Sequence, residues 1–189
     1  MSSTVMKNSN STYGTGNLFI AFAQAVAAHT KGEQELAQAM GTAALVMENG
    51  GDEEQVIAAL LLGHVRLRQP AHVSRIHRQF GNRVLRIVLE CGLLMPRQGN
   101  PEPVDSGLLM DHLAEMQHDS LLVSVCSAIE GASRLLRALH AGDARYREAS
   151  HRLAAIGYYE SLIWAFSKYP QIPYKALKDV VTQVMLKGG

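Results

Sequence analysis

Beyond Gly16, apolar residues recur at three- and four-residue spacing almost to the end of the chain, and no stretch sustains the alternation of a half-buried strand. A chain so patterned can bury its apolar side chains only as helices packed on helices, so the fold class is all-α, a bundle of about eight to nine helices. Leu18, Ile20, Phe22, Ala25 and Val26 open the first helix, and His29-Thr30-Lys31-Gly32 ends it with a cation and a glycine. The second runs from Glu33 to Glu48 and stops at Asn49-Gly50-Gly51. Asp52 then reads as an N-cap, with Glu53, Glu54 and Gln55 in the first turn of a helix reaching Arg66. Pro70 breaks the pattern, Val73, Ile76 and Phe80 mark a short amphipathic helix that Gly81 stops, and Val84 to Leu94 form the next. Met95 to Gly107, rich in proline and glycine, is a loop. Helices follow over Leu108–Gln117, Asp119–His140, Ala144–Tyr169 and Tyr174–Leu186.

With 189 residues the chain fits one domain, expected here over 17–189 behind a flexible Ser/Asn/Thr-rich arm over 1–16. The arm has no apolar core of a secretory signal, and the longest apolar run, Val56–Leu62, is far too short to span a bilayer. Cys91 and Cys126 sit at apolar positions and read as free buried thiols, which suits a cytoplasmic location. A net charge of +1 supplies no global attraction to nucleic acid or anionic membranes.

The segment Gly50-Gly51-Asp52-Glu53-Glu54-Gln55-Val56-Ile57-Ala58-Ala59-Leu60-Leu61 resembles the stretch that, in the SpoT/RelA-type HD hydrolases of guanosine polyphosphate, leads into the His-Asp pair naming the superfamily. Ala27 to Gly32 is similar to the family's early His-x-Gly stretch, and His72 to Val88, with Phe80-Gly81, to its helix pair around Phe-Gly. Leu121 to Gly131 lies where the family has its Lys-Ala-Asp-Arg helix, with a long helix carrying Tyr158 and Tyr159 after it. The resemblance covers about residues 20–170 and implies an HD-type helical bundle. It also implies a metal, commonly Mn²⁺, held by a first His, the His-Asp pair and a distant Asp. Those positions here read Gln38, Leu62-Gly63 and Ser127, and the acidic pair that positions the attacking water falls on Arg66 and Leu67. A divalent cation needs carboxylate or imidazole lone pairs, which these side chains lack. Sliding the register by two residues brings in His64, but Val65 then follows it and Ser127 is still no ligand. The expectation is therefore a catalytically inactive HD-like protein that holds no metal or other cofactor.

The remaining histidines do not supply another site. His72 and His77 are five apart and His112 and His118 six apart, so neither makes an i, i+4 ligand pair, and Asp111-His112 and His118-Asp119 point about 100° apart on a helix. No nucleophile elbow or phosphate-binding glycine motif occurs. Between Glu54 and Glu90 there is no acidic residue, while Arg66, Arg68, Arg75, Arg78, Arg83 and Arg86 fall there. Together with Lys31 and His64 these cations are candidates for docking an anion, and the competing reading is a solvated surface balanced by carboxylates brought close in space. The expected function is a regulatory, protein-interaction module whose partner presents an acidic surface. Two alternatives stand beside it: a sensor that binds a guanine or other purine nucleotide without hydrolysing it, and a phosphohydrolase with a relocated site. Tyr158, Tyr159, Trp164, Phe166 and Tyr169 lie far from the arginines in sequence, so nucleic acid is not an expected partner. The apolarity of that late helix makes a homo-oligomer a further expectation.

Overall fold

The computed structural model describes residues 15–28, 33–65, 70–94 and 105–188. Eight α-helices are present among them, and no strand: α1 Thr15–Ala28, α2 Glu33–Glu48, α3 Glu53–Val65, α4 Pro70–Gly92, α5 Ser106–Glu115, α6 His118–His140, α7 Ala149–Phe166 and α8 Tyr174–Gly188. The all-α expectation holds. Residues 1–14 of the expected arm, the stop at His29–Gly32, and most of the loop from Met95 lie outside the described residues, whereas Thr15 and Gly16 already belong to α1.

α3 and α6 form the centre. Every residue of α3 from Gln55 to Leu62 is buried, because α1, α2, α4 and α6 all pack against it. This explains why that run is apolar on every side rather than along one stripe. α6 buries Leu121, Val123, Val125, Cys126, Ile129, Ala132 and Leu135 and is sandwiched chiefly between α2 and α8. α7 covers another flank, burying Tyr158, Tyr159, Leu162 and Phe166 within the chain and leaving Trp164 half exposed beneath Lys168, whose Nζ lies 5.2 Å from the ring. Among the described residues, no helix is long and apolar enough to cross a membrane.

The local stops follow the side chains. Gly81 takes φ 87° and ψ 178°, a backbone state that a residue with a Cβ avoids, so α4 is two helical segments meeting at the expected glycine. Asp105 starts α5 two residues earlier than the apolar spacing suggested, since its side chain accepts from the Leu108 N–H at 2.9 Å. The expected single helix over Ala144–Tyr169 is a short 3₁₀ turn, Ala144–Tyr146, followed by α7. Asp143 is the reason: its carboxylate takes the Arg145 N–H at 2.9 Å and the Arg145 guanidinium at 2.7 Å, which tightens the chain there.

Asp52 caps α3 as its position implied, and the cap is reciprocal. The Gln55 N–H donates to Asp52 Oδ1 at 3.1 Å and the Asp52 N–H to Gln55 Oε1 at 2.9 Å. Gln55 then donates from Nε2 to the Asp119 carbonyl at 3.0 Å, tying the first turn of α3 to that of α6. Arg83 adds three contacts at the same place, with Asp52 at 2.8 Å, Glu54 at 2.7 Å and Asp119 at 2.8 Å. Arg86 pairs with Asp119 at 2.8 Å and with Glu90 at 3.4 Å. Burial pushes the Asp119 carboxyl up, but hydrogen bonds from Arg86 and Arg83 outweigh it and hold the group below the usual carboxylate range.

A folded-state pKa below the unfolded value stabilises the fold above about pH 4 and is lost as pH falls through the folded value. Asp119→Asn is expected to lose about 1–3 kcal/mol in urea melts at pH 7, a figure reduced for the solvent that reaches both arginines. The gap between wild type and variant should close as the pH drops below about 4.

Candidate functional site

One face of α6 carries Ser124, Ser127, Gly131 and Arg134, spaced i, i+3, i+7 and i+10, so all four point the same way. Gln38 of α2 comes to this face. Arg134 Nη1 donates to Gln38 Oε1 at 2.8 Å, a link no local pattern announces. α7 closes the space, and between them lies a cavity of about 40 Å³ bordered by Gln38, Ser124, Ser127, Gly131, Tyr159 and Cys91. Tyr158 and Tyr159 meet edge to face, ring centroids 5.0 Å apart. The Tyr158 hydroxyl donates to the Leu94 carbonyl at 2.6 Å. The Tyr159 hydroxyl instead reaches the backbone of α6: a Cβ on residue 131 would stand 2.7 Å from it, so glycine there makes room for the ring.

The groups around the cavity are poor nucleophiles at neutral pH. Burial pushes the Cys91 thiol up to about 12, and the Ser124 hydroxyl, 3.1 Å from the sulfur, only partly offsets this. Cys126, also buried and free, is pushed up to about 12 for the same reason. Burial, with smaller contributions from Tyr158 and Tyr146, drives Tyr159 well above its ordinary value, so it stays a hydroxyl donor. Burial lowers the Arg134 guanidinium from its usual value, and neighbouring Glu130 offsets part of that.

Two of the positions singled out in the sequence, Gln38 and Ser127, are thus brought to one cavity from helices far apart in the chain. Leu62 is buried in the core of α3 and does not border that cavity, and Gly63 and His64 fall in the last turn of the same helix. Lys31, Arg66 and Arg68 lie outside the described residues. The basic set divides. Arg75 and Arg78 are exposed on the first segment of α4, whereas Arg83 and Arg86 are held by Asp52, Glu54, Glu90 and Asp119, so an incoming anion would have to displace carboxylates already paired to them. The solvated-surface reading therefore describes that half of the cluster. His112 is committed to the Glu90 carbonyl at 2.9 Å, and among the described residues no three His, Cys, Asp or Glu side chains gather to hold a metal ion.

A larger depression, about 720 Å³, lies at the starts of α3 and α6, walled by Asn49, Gln55, Arg83, His118, Asp119 and Gln171. Its charged members are already paired with each other, so the small cavity is the better match to the residues read from sequence. Tyr159 and Arg134 went unnoticed as parts of a site. The one signal for them was a glycine one turn beyond Ser127 in an otherwise well-formed helix.

Gly131→Ala should cost about 1–2 kcal/mol, because the overpacking against a ring that cannot swing away exceeds the roughly 1 kcal/mol gained in helix propensity. Urea melts of Gly131→Ala with Tyr159→Phe in the same chain should recover most of that loss.

An HD domain family model matches residues 19–154, from α1 into the start of α7. No curated protein matches the chain. The match takes in Gln38, Leu62, Ser127 and Arg134 and ends before the two tyrosines that close the cavity. With well over half of its length covered, the chain belongs to the HD domain family.

Proposed function

We propose that this chain is an HD domain of the SpoT/RelA-like kind that no longer carries out metal-dependent phosphate-ester hydrolysis and instead serves as a regulatory module binding a partner protein. HD domains are usually phosphohydrolases, so the proposal turns on the site. The observation that carries it is the donor set around the 40 Å³ cavity. Where the resemblance calls for imidazole and carboxylate, Gln38 and Ser127 stand, and the one Gln38 oxygen that could face a cation already accepts from Arg134. A guanidinium beside the cavity repels a divalent ion, and neutral hydroxyls do not compensate for it. These residues do not fit a metal, and no hydrolytic step is derived through one.

The nucleotide-sensor reading is less well supported: the 40 Å³ cavity is far below the roughly 300–1,000 Å³ of pockets for ligands of nucleotide size, and the 720 Å³ depression, though large enough, has its Arg83 already paired with Asp119. Among the described members of the basic set, Arg75 and Arg78, exposed side by side on α4, are the cations free to meet an acidic protein surface, with planar guanidinium groups suited to carboxylates.

The test has two arms. Metal-stripped protein incubated with Mn²⁺ and guanosine tetraphosphate should release no pyrophosphate, and neither that nucleotide nor GTP at millimolar concentration should raise its melting temperature. Stabilisation by nucleotide without turnover would move the assignment to a sensor; turnover would restore the enzyme. In the second arm, a partner retained by the wild-type chain at low salt should be lost by Arg75→Glu/Arg78→Glu, whose melting temperature stays within about 1–2 °C of wild type because both side chains are exposed. Retention by the double variant would reject this face as the docking surface.

A further inference from the structure

Three donors at the small cavity, on Tyr159, Ser127 and Gln38, have no acceptor among the described residues, whereas Ser124, Cys91 and Tyr158 there are already hydrogen-bonded. Tyr159 is 5% exposed, yet among the described residues nothing hydrogen-bonds with its hydroxyl. A side chain buried to that extent normally finds a partner for its polar atom. Ser127 sits on the same cavity with its hydroxyl equally uncommitted, although helix serines commonly bond back to a carbonyl one turn earlier, as Ser161 does to Gly157 at 3.0 Å. Gln38 is a third. Arg134 has only donors to offer, so the Gln38 oxygen must face it and the amide N–H groups are left for another acceptor.

The charge points the same way. Arg134 is half-buried and makes no salt bridge with any described residue. The charged groups that face it are Glu130, Arg137 and Arg145. Glu130 is taken by Arg137 at 2.7 Å, and Arg145 is taken by Asp143 at 2.7 Å. Arg134 therefore keeps a positive charge that Glu130, shared with Arg137, balances only in part, in half-buried surroundings where that charge is less screened than in bulk water.

We propose that this cavity is a binding site for a small monovalent inorganic anion of chloride size, held by the Tyr159 and Ser127 hydroxyls and the Gln38 amide beside the Arg134 guanidinium. A cation would meet donor hydrogens and a like charge. An apolar guest would leave the donors unsatisfied. A nucleotide is too large for about 40 Å³, whereas that volume exceeds what a single water needs. The anion thus lies beside two of the positions at which the resemblance implies metal ligands, Gln38 and Ser127, and away from Leu62. The inference rests on the reading that this site is not a metal centre, and the experiment separates the two.

The test is thermal unfolding of the full chain in sodium chloride against sodium gluconate, at fixed sodium and ionic strength, with Mn²⁺ as a parallel arm. Chloride should raise the melting temperature saturably by about 2–4 °C over gluconate. Tyr159→Phe, which removes one oxygen and keeps the ring, and Arg134→Met should each abolish that rise. Equal melting temperatures in the two salts, or an undiminished rise in Tyr159→Phe, would overturn the proposal. Should either variant fail to fold, bromide-soaked crystals of the wild type decide: an anomalous peak within hydrogen-bond distance of Tyr159 Oη supports the site, and ordinary water density there overturns it. Stabilisation by Mn²⁺ would sink the metal-free reading along with the anion, whereas a null result with both salts and with Mn²⁺ sinks the anion alone.

Discussion

Gln55 makes the contact to which the rest of the bundle is referred. Its side chain closes the cap of α3 by accepting from Asp52, and in the same geometry donates to the Asp119 carbonyl at the start of α6. Because α3 and α6 are the two helices that most others pack against, fixing their first turns together sets where α1, α2 and α4 lie on one and α2 and α8 on the other. Arg83 and Arg86 lock the second segment of α4 onto that junction through Asp119. Gly81 is what lets the segment turn to reach it, since a straight α4 would not change direction before Arg83. The strongest polar cluster in the described chain is thus spent on architecture at the helix starts, which is the physical reason that half of the arginine cluster does not belong to a docking surface.

The cavity on α6 illustrates the opposite use of polar groups. There the Tyr159 and Ser127 hydroxyls and the Gln38 amide N–H groups have no partner among the described residues, and the Arg134 guanidinium lies against Gln38. Buried polar groups are normally paired, and the Tyr159 hydroxyl, on a side chain only 5% exposed, has no partner among the described residues. Tyr159 and Gly131 form a matched pair in this respect: the glycine forgoes about 1 kcal/mol of helix propensity, and the space it leaves is filled by the phenol.

How much of this could be read from the chain depends on the range of the interactions. α2 and the starts of α3 and α8 were legible to the residue, because each boundary is written locally as a cap, a glycine or a proline, and the break at Gly81 was legible for the same reason. α5 and α7 were displaced by a few residues because Asp105 and Asp143 act through side-chain bonds that apolar spacing does not register. That Arg83 and Arg86 would be balanced by carboxylates brought close in space was legible as one of two readings, and Asp52 does meet Arg83, but their shared partner Asp119 was not, since it lies beyond the whole of α5 and meets them only when α6 docks. Gln38 and Ser127 were reachable by resemblance; Tyr159 was named there only as part of a long helix, and Arg134 not at all, because nothing in their local sequence marks the one as a cavity wall or the other as the partner of Gln38.

The central claim is that the HD-type site has no affinity for a divalent metal, and titration of metal-stripped protein with Mn²⁺, followed by the electron paramagnetic resonance of the free ion, tests it most directly. The account predicts that the free-ion signal grows in proportion to added Mn²⁺, with no saturable binding at protein concentrations near 100 micromolar, the usual range of such a titration being about micromolar to millimolar affinities. A stoichiometric loss of free signal, reversed by a chelator, would contradict it and return the chain to the metal-dependent hydrolases.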